Sequence, residues 1–156
     1  MDYIYNFFKN SSIEKIKDIL KFYHVTDDSD VEMLADLAVK AGRLDVLKHI
    51  RDFYDFDFSY NNQYLLINAI INGQYEIVKY LITLPEVDPS VDDNKPLQIS
   101  NVHDQRQIKK LLLSDPRVIK KLTMEDIYNY DLTREFMELY NIDNEEDINV
   151  ILMMLI

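Results

Sequence analysis

The sequence predicts an all-α fold, a solenoid of about four to five stacked helix–turn–helix repeats. Two stretches, residues 33–50 and 64–81, align without a gap at an offset of 31 residues. The 156-residue chain contains only two glycines and four prolines, whereas β-sandwiches and barrels use more of both in their turns. Hydrophobic residues make up 47% of the chain, which is enough to build a core when the repeats stack.

The two best-matching copies each predict a pair of helices joined at a glycine. Apolar residues fall at helical spacing within 44–50 and 75–81, so the second helix of each copy has one buried stripe. Gly42 and Gly73 occupy the same place in the two copies. Glycine there permits the left-handed conformation that ends a helix, so we expect the first helix of each copy to end at this residue.

Weaker copies flank these two. Adding 31 residues places Asp104 where the other copies have glycine. Subtracting 31 places a helix pair at the N-terminus, and we expect its residues 3–8 to lie flat against the next copy. Toward the C-terminus the period fails by several residues. The predicted repeats are an N-terminal cap at about 2–32, then 33–63, 64–94, 95–122, a shortened copy at 123–143, and a C-terminal capping helix at 144–156.

Two motifs carry a family resemblance. NGQYEIVKYL at residues 72–81 resembles the NGHLEIVKLL segment of an ankyrin repeat, and KPLQIS at 95–100 resembles its TPLHLA opening. The loops at 84–90 and 113–118 are similar to a linker in ankyrin proteins of large DNA viruses that infect protists. The period is 31 rather than about 33, and the two best copies lack the Thr-Pro opening, so other helical-pair repeats remain open.

The ankyrin resemblance implies a non-catalytic module that binds another protein through its loop tips and the exposed concave side of each first helix. Tyr60 and Ile71 have two open interpretations, as exposed anchors for a partner or as packing against the next copy. Carried onto this sequence, the candidate partner-binding residues are Ser29, Asp30, Glu32, Lys40, Tyr60, Asn61, Gln63, Ile71, Asn72, Val91, Asp92, Asn94, Val102 and His103.

Charge and composition restrict the partners. A net charge of -11 would repel nucleic acid and anionic lipid surfaces. No apolar run approaches the roughly 18 to 20 residues of a membrane span, and the absence of cysteine is compatible with a reducing cytosol. We expect a cytoplasmic protein, in the host cytoplasm if it is viral, that binds neither nucleic acid nor membranes.

The sequence contains no pattern for catalysis, a cofactor or a metal. His24, His49 and His103 lack the short spacing of a metal site. The two isolated glycines cannot form a phosphate-binding loop or a nucleophile elbow. We therefore predict no enzymatic activity, no cofactor and no metal site.

Acidic residues cluster near the predicted loops, at 27–30, 52–57 and 86–93. Stacked copies would align these loops into an acidic ridge suited to a partner with a basic surface. The ridge also supports an alternative, in which the protein mimics nucleic acid and inhibits a nucleic-acid-binding protein. The apolar residues 150–156 leave three interpretations: a buried capping helix, a self-association patch that gives a weak homo-oligomer or a self-assembling structural protein, or the edge of a longer protein.

Overall fold

The computed structural model describes residues 2–22 and 28–156, and within these ranges all regular secondary structure is helical. The predicted all-α class is confirmed. The helices are α1 (Asp2–Asn10), α2 (Ile13–Phe22), α3 (Asp28–Lys40), α4 (Leu44–Phe53), α5 (Tyr60–Ile71), α6 (Tyr75–Leu81), α7 (Val91–Val102), α8 (Arg106–Leu113), α9 (Pro116–Ile119), α10 (Met124–Asn129), α11 (Thr133–Tyr140) and α12 (Ile148–Leu155), with a 3-10 turn at Glu145–Asp147.

Consecutive helices form pairs, and the pairs stack into a solenoid. The first helices α3, α5 and α7 pack side by side, while the second helices stack as α2 on α4, α6 on α8, and α8 on α11. Val46, Ile77 and Ile108 repeat at intervals of 31 residues and are all buried. One helix pair cannot bury its own apolar stripe, so these residues pack between neighbouring copies and form a continuous core.

A left-handed residue separates the two helices of each copy from the second onward. Gly42 has a φ of +70° and Gly73 of +65°, while Asp104 and Asp131 take the same place with φ of +50° and +48°. Aspartate tolerates this conformation better than most side chains do. A Cβ on Gly42 would lie 2.8 Å from Gln74 Oε1, whereas a Cβ on Gly73 would meet its nearest neighbour at 3.5 Å. Asp104 and Asp131 thus keep the left-handed turn in the copies that have no glycine at this position.

The residue after each of the two glycine turns binds the preceding copy. Arg43 donates to the backbone carbonyls of Phe8 and Ser11, the latter at 2.7 Å. Gln74, 31 residues later, donates to the Lys40 carbonyl at 3.5 Å. These hydrogen bonds satisfy carbonyls that a helix end leaves unpaired, and they fix the register of the stack.

In two of the loops that join one copy to the next, an aspartate binds the serine two residues later. Asp57 Oδ1 accepts hydrogen bonds from the backbone N–H and hydroxyl of Ser59, at 2.8 and 2.6 Å. Asp88 accepts the same pair from Ser90 at the same distances. Partial burial raises the pKa of the Asp88 carboxyl, but the Ser90 hydrogen bonds and nearby cations outweigh it and hold the pKa below its ordinary value.

Arg117 fixes the loop that contains Asp88 from the following copy. Its guanidinium donates to the carbonyls of Val87 at 2.7 Å and Ile82 at 2.8 Å, and it forms an ion pair with Asp115 at 2.7 Å. Burial raises the pKa of the Asp115 carboxyl, but the hydrogen bonds from Arg117 leave it lower than usual. Asp57, Asp88 and Asp115 are thus held by hydrogen bonds within the structure.

Two first helices begin with three consecutive left-handed residues. Residues 61–63 have φ between +48° and +65°, and residues 92–94 have φ between +48° and +62°. Five of these six residues are Asn or Asp, the side chains that best tolerate this backbone. The regular helix starts after each triplet, at Tyr64 and Lys95, which leaves Pro96 in a first turn, where proline is tolerated.

A buried ion pair joins α8 to α11. Lys109 Nζ lies 3.5 Å from Glu135 Oε1, and each side chain is 6% exposed. Arg106 Nε lies 3.6 Å from the same carboxylate, and Asn101 Oδ1 accepts from Lys109 at 3.4 Å. Lys109 follows the buried Val78 by 31 residues, so charge replaces an apolar contact at this junction.

The two ends of the solenoid are only partly buried. Phe8 is buried, but Tyr3 is 87% and Ile4 48% exposed, so the prediction that residues 3–8 lie flat was wrong for the first turn of α1. That turn borders an apolar groove and does not reach the core. At the other end Ile148 and Leu152 are buried, so one face of α12 covers the last helix pair.

Candidate functional site

The last turns of three first helices present one residue per copy, which we name the exposed row: Lys40, Ile71 and Val102. They repeat at intervals of 31 residues. Val102 is 80% and Ile71 43% exposed. Lys40 donates to Asp36 at 2.6 Å, and this hydrogen bond raises the pKa of the Lys40 ammonium. The exposed row therefore consists of two apolar side chains, Ile71 and Val102, and one ammonium, Lys40, that Asp36 holds in place.

A shallow groove of about 230 Å³ runs between α5 and α7, on the same side as the exposed row. Tyr64, Ile67, Lys95 and Ile99 contribute to its lining. Ile67 precedes Ile71 by four residues, so both lie on one face of α5. Sequence reasoning missed these four residues. The signal was available, because Tyr64 and Lys95 are equivalent positions in neighbouring copies.

Most predicted contact residues on the loops and helix ends are exposed. Asn62 Nδ2 donates to Asp92 Oδ2 at 2.6 Å, which connects the loop tips of two neighbouring copies. The predicted residues that lie exposed, besides the exposed row, are Ser29, Asp30, Glu32, Asn61, Asn72, Asp92 and His103. Their role in binding stays a prediction.

Two of the predicted contact residues are not on the surface. Gln63 is 7% and Asn94 2% exposed, so their assignment as contact residues was wrong. Gln63 Nε2 donates to the Glu86 carbonyl at 3.4 Å, and Asn94 Nδ2 donates to the Val118 carbonyl at 3.1 Å. Each is the last residue of a left-handed triplet and binds the segment that follows the next helix along the chain.

Tyr60 and Ile71 were both open to two interpretations, as exposed anchors or as packing residues, and the structure places them in different environments. Tyr60 is half-buried, with its ring centroid 5.2 Å from that of Phe56 and 5.7 Å from that of Tyr64. Burial is the main cause that raises the pKa of the Tyr60 phenol. Tyr60 therefore packs against neighbouring aromatic rings, and Val91 is half-buried, whereas Ile71 remains at the surface.

The predicted acidic ridge is interrupted. Glu86 forms an ion pair with Arg51, and the repeated loop residues Asp57 and Asp88 accept hydrogen bonds from their own loops. Residues 95–122 contain seven Lys or Arg against two Asp. A mimic of nucleic acid needs a dense, regular anionic face, and this surface does not provide one.

The histidines occupy separate environments. The imidazole of His49 lies 4.4 Å from the Phe53 ring, and burial is the main cause that lowers its pKa. His103 is exposed, and His24 lies outside the described residues. Within 2–22 and 28–156, no three or more His, Cys, Asp or Glu side chains converge as metal ligands would. No described helix is both long and apolar enough to cross a membrane.

Comparison with known proteins identifies the repeat. The family model for ankyrin repeats matches residues 35–123 in three copies, which is more than half of the 156 residues. No curated protein and no solved structure gives a significant match. The family match covers α4 to α9 and the C-terminal part of α3, a region that carries the 31-residue period, the turns at Gly42, Gly73 and Asp104, and the exposed row. The chain therefore belongs to the ankyrin-repeat family.

Proposed function

We propose that this chain is a non-catalytic module that binds a partner protein on the face formed by the exposed row and the groove between α5 and α7. Ankyrin repeats generally mediate protein–protein interaction. The observation that carries the proposal is the exposure of Ile71 and Val102 at equivalent places in two neighbouring copies. Exposed apolar side chains beside a groove are suited to anchor a partner.

The chemistry of this face suggests what the partner presents. Apolar side chains would enter the groove beside Ile67 and Ile99, and polar groups would meet Lys95 and Asp92 at its edge. The net charge of -11 favours a partner with a basic surface outside this apolar contact, because charge complementarity raises the association rate.

Two finer parts of the proposal rest on the sequence. The resemblance of the loops at 84–90 and 113–118 to linkers of viral ankyrin proteins supports a host protein as the partner. The composition without cysteine supports a cytoplasmic location. Fractionation of cells that express the chain would test the second part, since recovery in a membrane or secreted fraction would contradict it.

The test is affinity capture from cell lysate, followed by titration calorimetry with the captured partner. Ile71→Ser and Val102→Ser should each weaken binding by about tenfold or more, as hot-spot residues do. Tyr128→Ser is the matched control, because Tyr128 is 58% exposed but lies on α10, outside this face. Circular dichroism should show that all three variants stay helical. Equal affinity for all variants, or an equal loss in the control, would contradict the proposal.

A further inference from the structure

The turn between α5 and α6 contains the Asn-Gly pair of this chain, Asn72 and Gly73. The chain has only two glycines, and the other one, Gly42, follows an alanine. When glycine follows asparagine, no Cβ hinders the glycine nitrogen from approaching the asparagine side chain, and asparagine is a thermolabile residue. The pair begins the motif at 72–81, and the proposed partner binding gives it no chemical role.

The reaction open to this pair is deamidation, with water as its co-reactant. The Gly73 nitrogen forms a bond to Cγ of Asn72 and loses its proton, while the bond from Cγ to Nδ2 breaks and the amide nitrogen leaves as ammonia. Water then opens the resulting succinimide ring at either carbonyl. The product is aspartate, or isoaspartate, in which the backbone runs through Cγ. In sum, asparagine and water give an aspartyl residue and ammonia, with no change of oxidation state.

The closed turn holds the two reacting groups in other contacts. Asn72 Nδ2 donates to the Asn68 carbonyl at 2.8 Å, so the side chain is held against the last turn of α5. The Gly73 N–H donates to the Ile70 carbonyl at 2.9 Å, so the attacking nitrogen is engaged as well. Attack on Cγ requires that the hydrogen bond from Gly73 breaks and that the Asn72 side chain leaves Asn68. The folded turn is therefore unreactive until it opens.

The turn is able to open while the core stays packed. Ile71, Asn72 and Gly73 are all exposed, and exposed backbone hydrogen bonds open at a low cost in free energy. On the two sides of the turn, Ala69 and Ile77 are buried and anchor α5 and α6. Water thus reaches the reacting groups without separation of the two helices.

Contacts with the preceding copy hold this turn more weakly than the turn before it. At the earlier turn Arg43 donates two hydrogen bonds to carbonyls of the preceding copy. At the later turn Gln74 donates to the Lys40 carbonyl at 3.5 Å, beyond the usual range of about 2.7–3.2 Å. Of the two glycine turns, the one that contains Asn72 should therefore open more readily.

We propose that Asn72 is a site of spontaneous deamidation, which proceeds by local opening of the turn between α5 and α6 while the repeats stay stacked. The product places a carboxylate at the C-terminal end of α5, where the helix dipole disfavours negative charge. It also lacks the amide that donates to the Asn68 carbonyl. The modification therefore weakens the end of α5 and adds a charge next to Ile71 of the exposed row. It requires no partner, so it is independent of the proposed function.

The experiment follows the full chain by mass spectrometry of its proteolytic peptides during incubation at mildly alkaline pH, in several concentrations of guanidinium chloride. In the folded chain, Asn72 should convert faster than Asn129, which is also exposed but is followed by tyrosine. The rate at Asn72 should stay constant below the unfolding transition, because local opening exposes little surface. In the unfolded chain it should rise by about tenfold or more, because the closed turn no longer protects the pair.

A variant that holds the turn closed tests the gate. Gln74→Arg copies Arg43 of the earlier turn and should slow the reaction at Asn72 by about threefold or more, because it adds charged hydrogen bonds to the preceding copy. Gln107→Arg adds the same charge at an exposed residue of α8, and this matched control should react at the native rate. Circular dichroism verifies that both variants keep the native helicity.

Four results would overturn the proposal. Conversion at Asn72 in the unfolded chain and none in the folded chain would show that the turn does not open. Equal rates in the folded and unfolded chains would show that the closed turn gives no protection. A rate that rises with denaturant as steeply as global unfolding would place the reaction in the unfolded chain. An unchanged rate in Gln74→Arg would show that contact with the preceding copy does not control the turn.

Discussion

Removing one partner of the buried ion pair between Lys109 and Glu135 should lower the unfolding free energy more than removing both partners. Glu135→Leu removes the carboxylate that faces the buried Lys109 ammonium. Of the side-chain oxygens described near this ammonium, the Asn101 oxygen at 3.4 Å remains. Both charged side chains are 6% exposed, so water cannot replace the lost partner. Breaking such a pair from one side costs about 3–5 kcal/mol of unfolding free energy.

The opposite change should be tolerated. Lys109→Met and Glu135→Leu together replace the pair with apolar side chains, the type found at the equivalent positions of earlier copies, such as Val78 and Ile108. Exchange of a buried ion pair for well-packed apolar residues is often neutral or stabilising by about 1–4 kcal/mol. Lys109→Met alone should cost less than Glu135→Leu alone, because Arg106 remains 3.6 Å from the Glu135 carboxylate.

Urea and thermal unfolding followed by circular dichroism would measure these differences. For a chain of this size each kcal/mol shifts the melting temperature by about 2–4 °C, so Glu135→Leu should melt roughly 6–20 °C below the native chain. The double variant should melt near the native chain or above it. The reasoning fails if Glu135→Leu costs less than about 1 kcal/mol, or if the double variant is as unstable as this single one.

Two further predictions concern the turns and loops. Gly42→Ala and Gly73→Ala should each lose about 1–2 kcal/mol from the left-handed backbone, and the two losses should be similar, because the Gln74 amide that the Cβ at position 42 would meet is the movable end of a long side chain; no loss in urea unfolding would contradict this. Asp88 and Asp115 have pKa values below the ordinary one in the folded chain, so they bind protons more weakly there than in the unfolded chain, whose aspartates titrate near about 3.9. Their stabilisation is present above that pH and is lost as the pH falls through the folded values. The unfolding free energy should therefore decrease as the pH falls from about 5 toward the lower folded pKa values, and Asp115→Asn should make this decrease smaller; an unchanged pH profile in that variant would contradict the assignment.

Periodicity predicted the fold because the 31-residue offset reflects a physical unit. Gly42 and Gly73 both lie in the predicted left-handed turn, and the equivalent Asp104 keeps that backbone without glycine. The buried stripes at 44–50 and 75–81 follow directly from helical spacing. The offset alone was sufficient to place these elements, since a turn and a stripe are local patterns.

Two side chains that were predicted to be exposed are buried because of their backbone conformation, which the hydrophobic periodicity does not reveal. Gln63 and Asn94 are polar and follow loops, which predicted exposure, yet the left-handed triplets before the regular helix turn both inward. The sequence made no prediction for Lys109 and Glu135, which can be buried because each neutralises the other. Comparison with the apolar residue at the equivalent place, Val78 for Lys109, was the available signal.

The most direct test of partner binding is site-specific photo-crosslinking. A photoreactive phenylalanine analogue in place of Val102, on the exposed row, should crosslink to the captured partner in high yield. The same analogue at Tyr128, which is also exposed, should not crosslink. Partner binding at the exposed row predicts crosslinking at position 102 and not at 128, and crosslinking at 128 and not at 102 would contradict it.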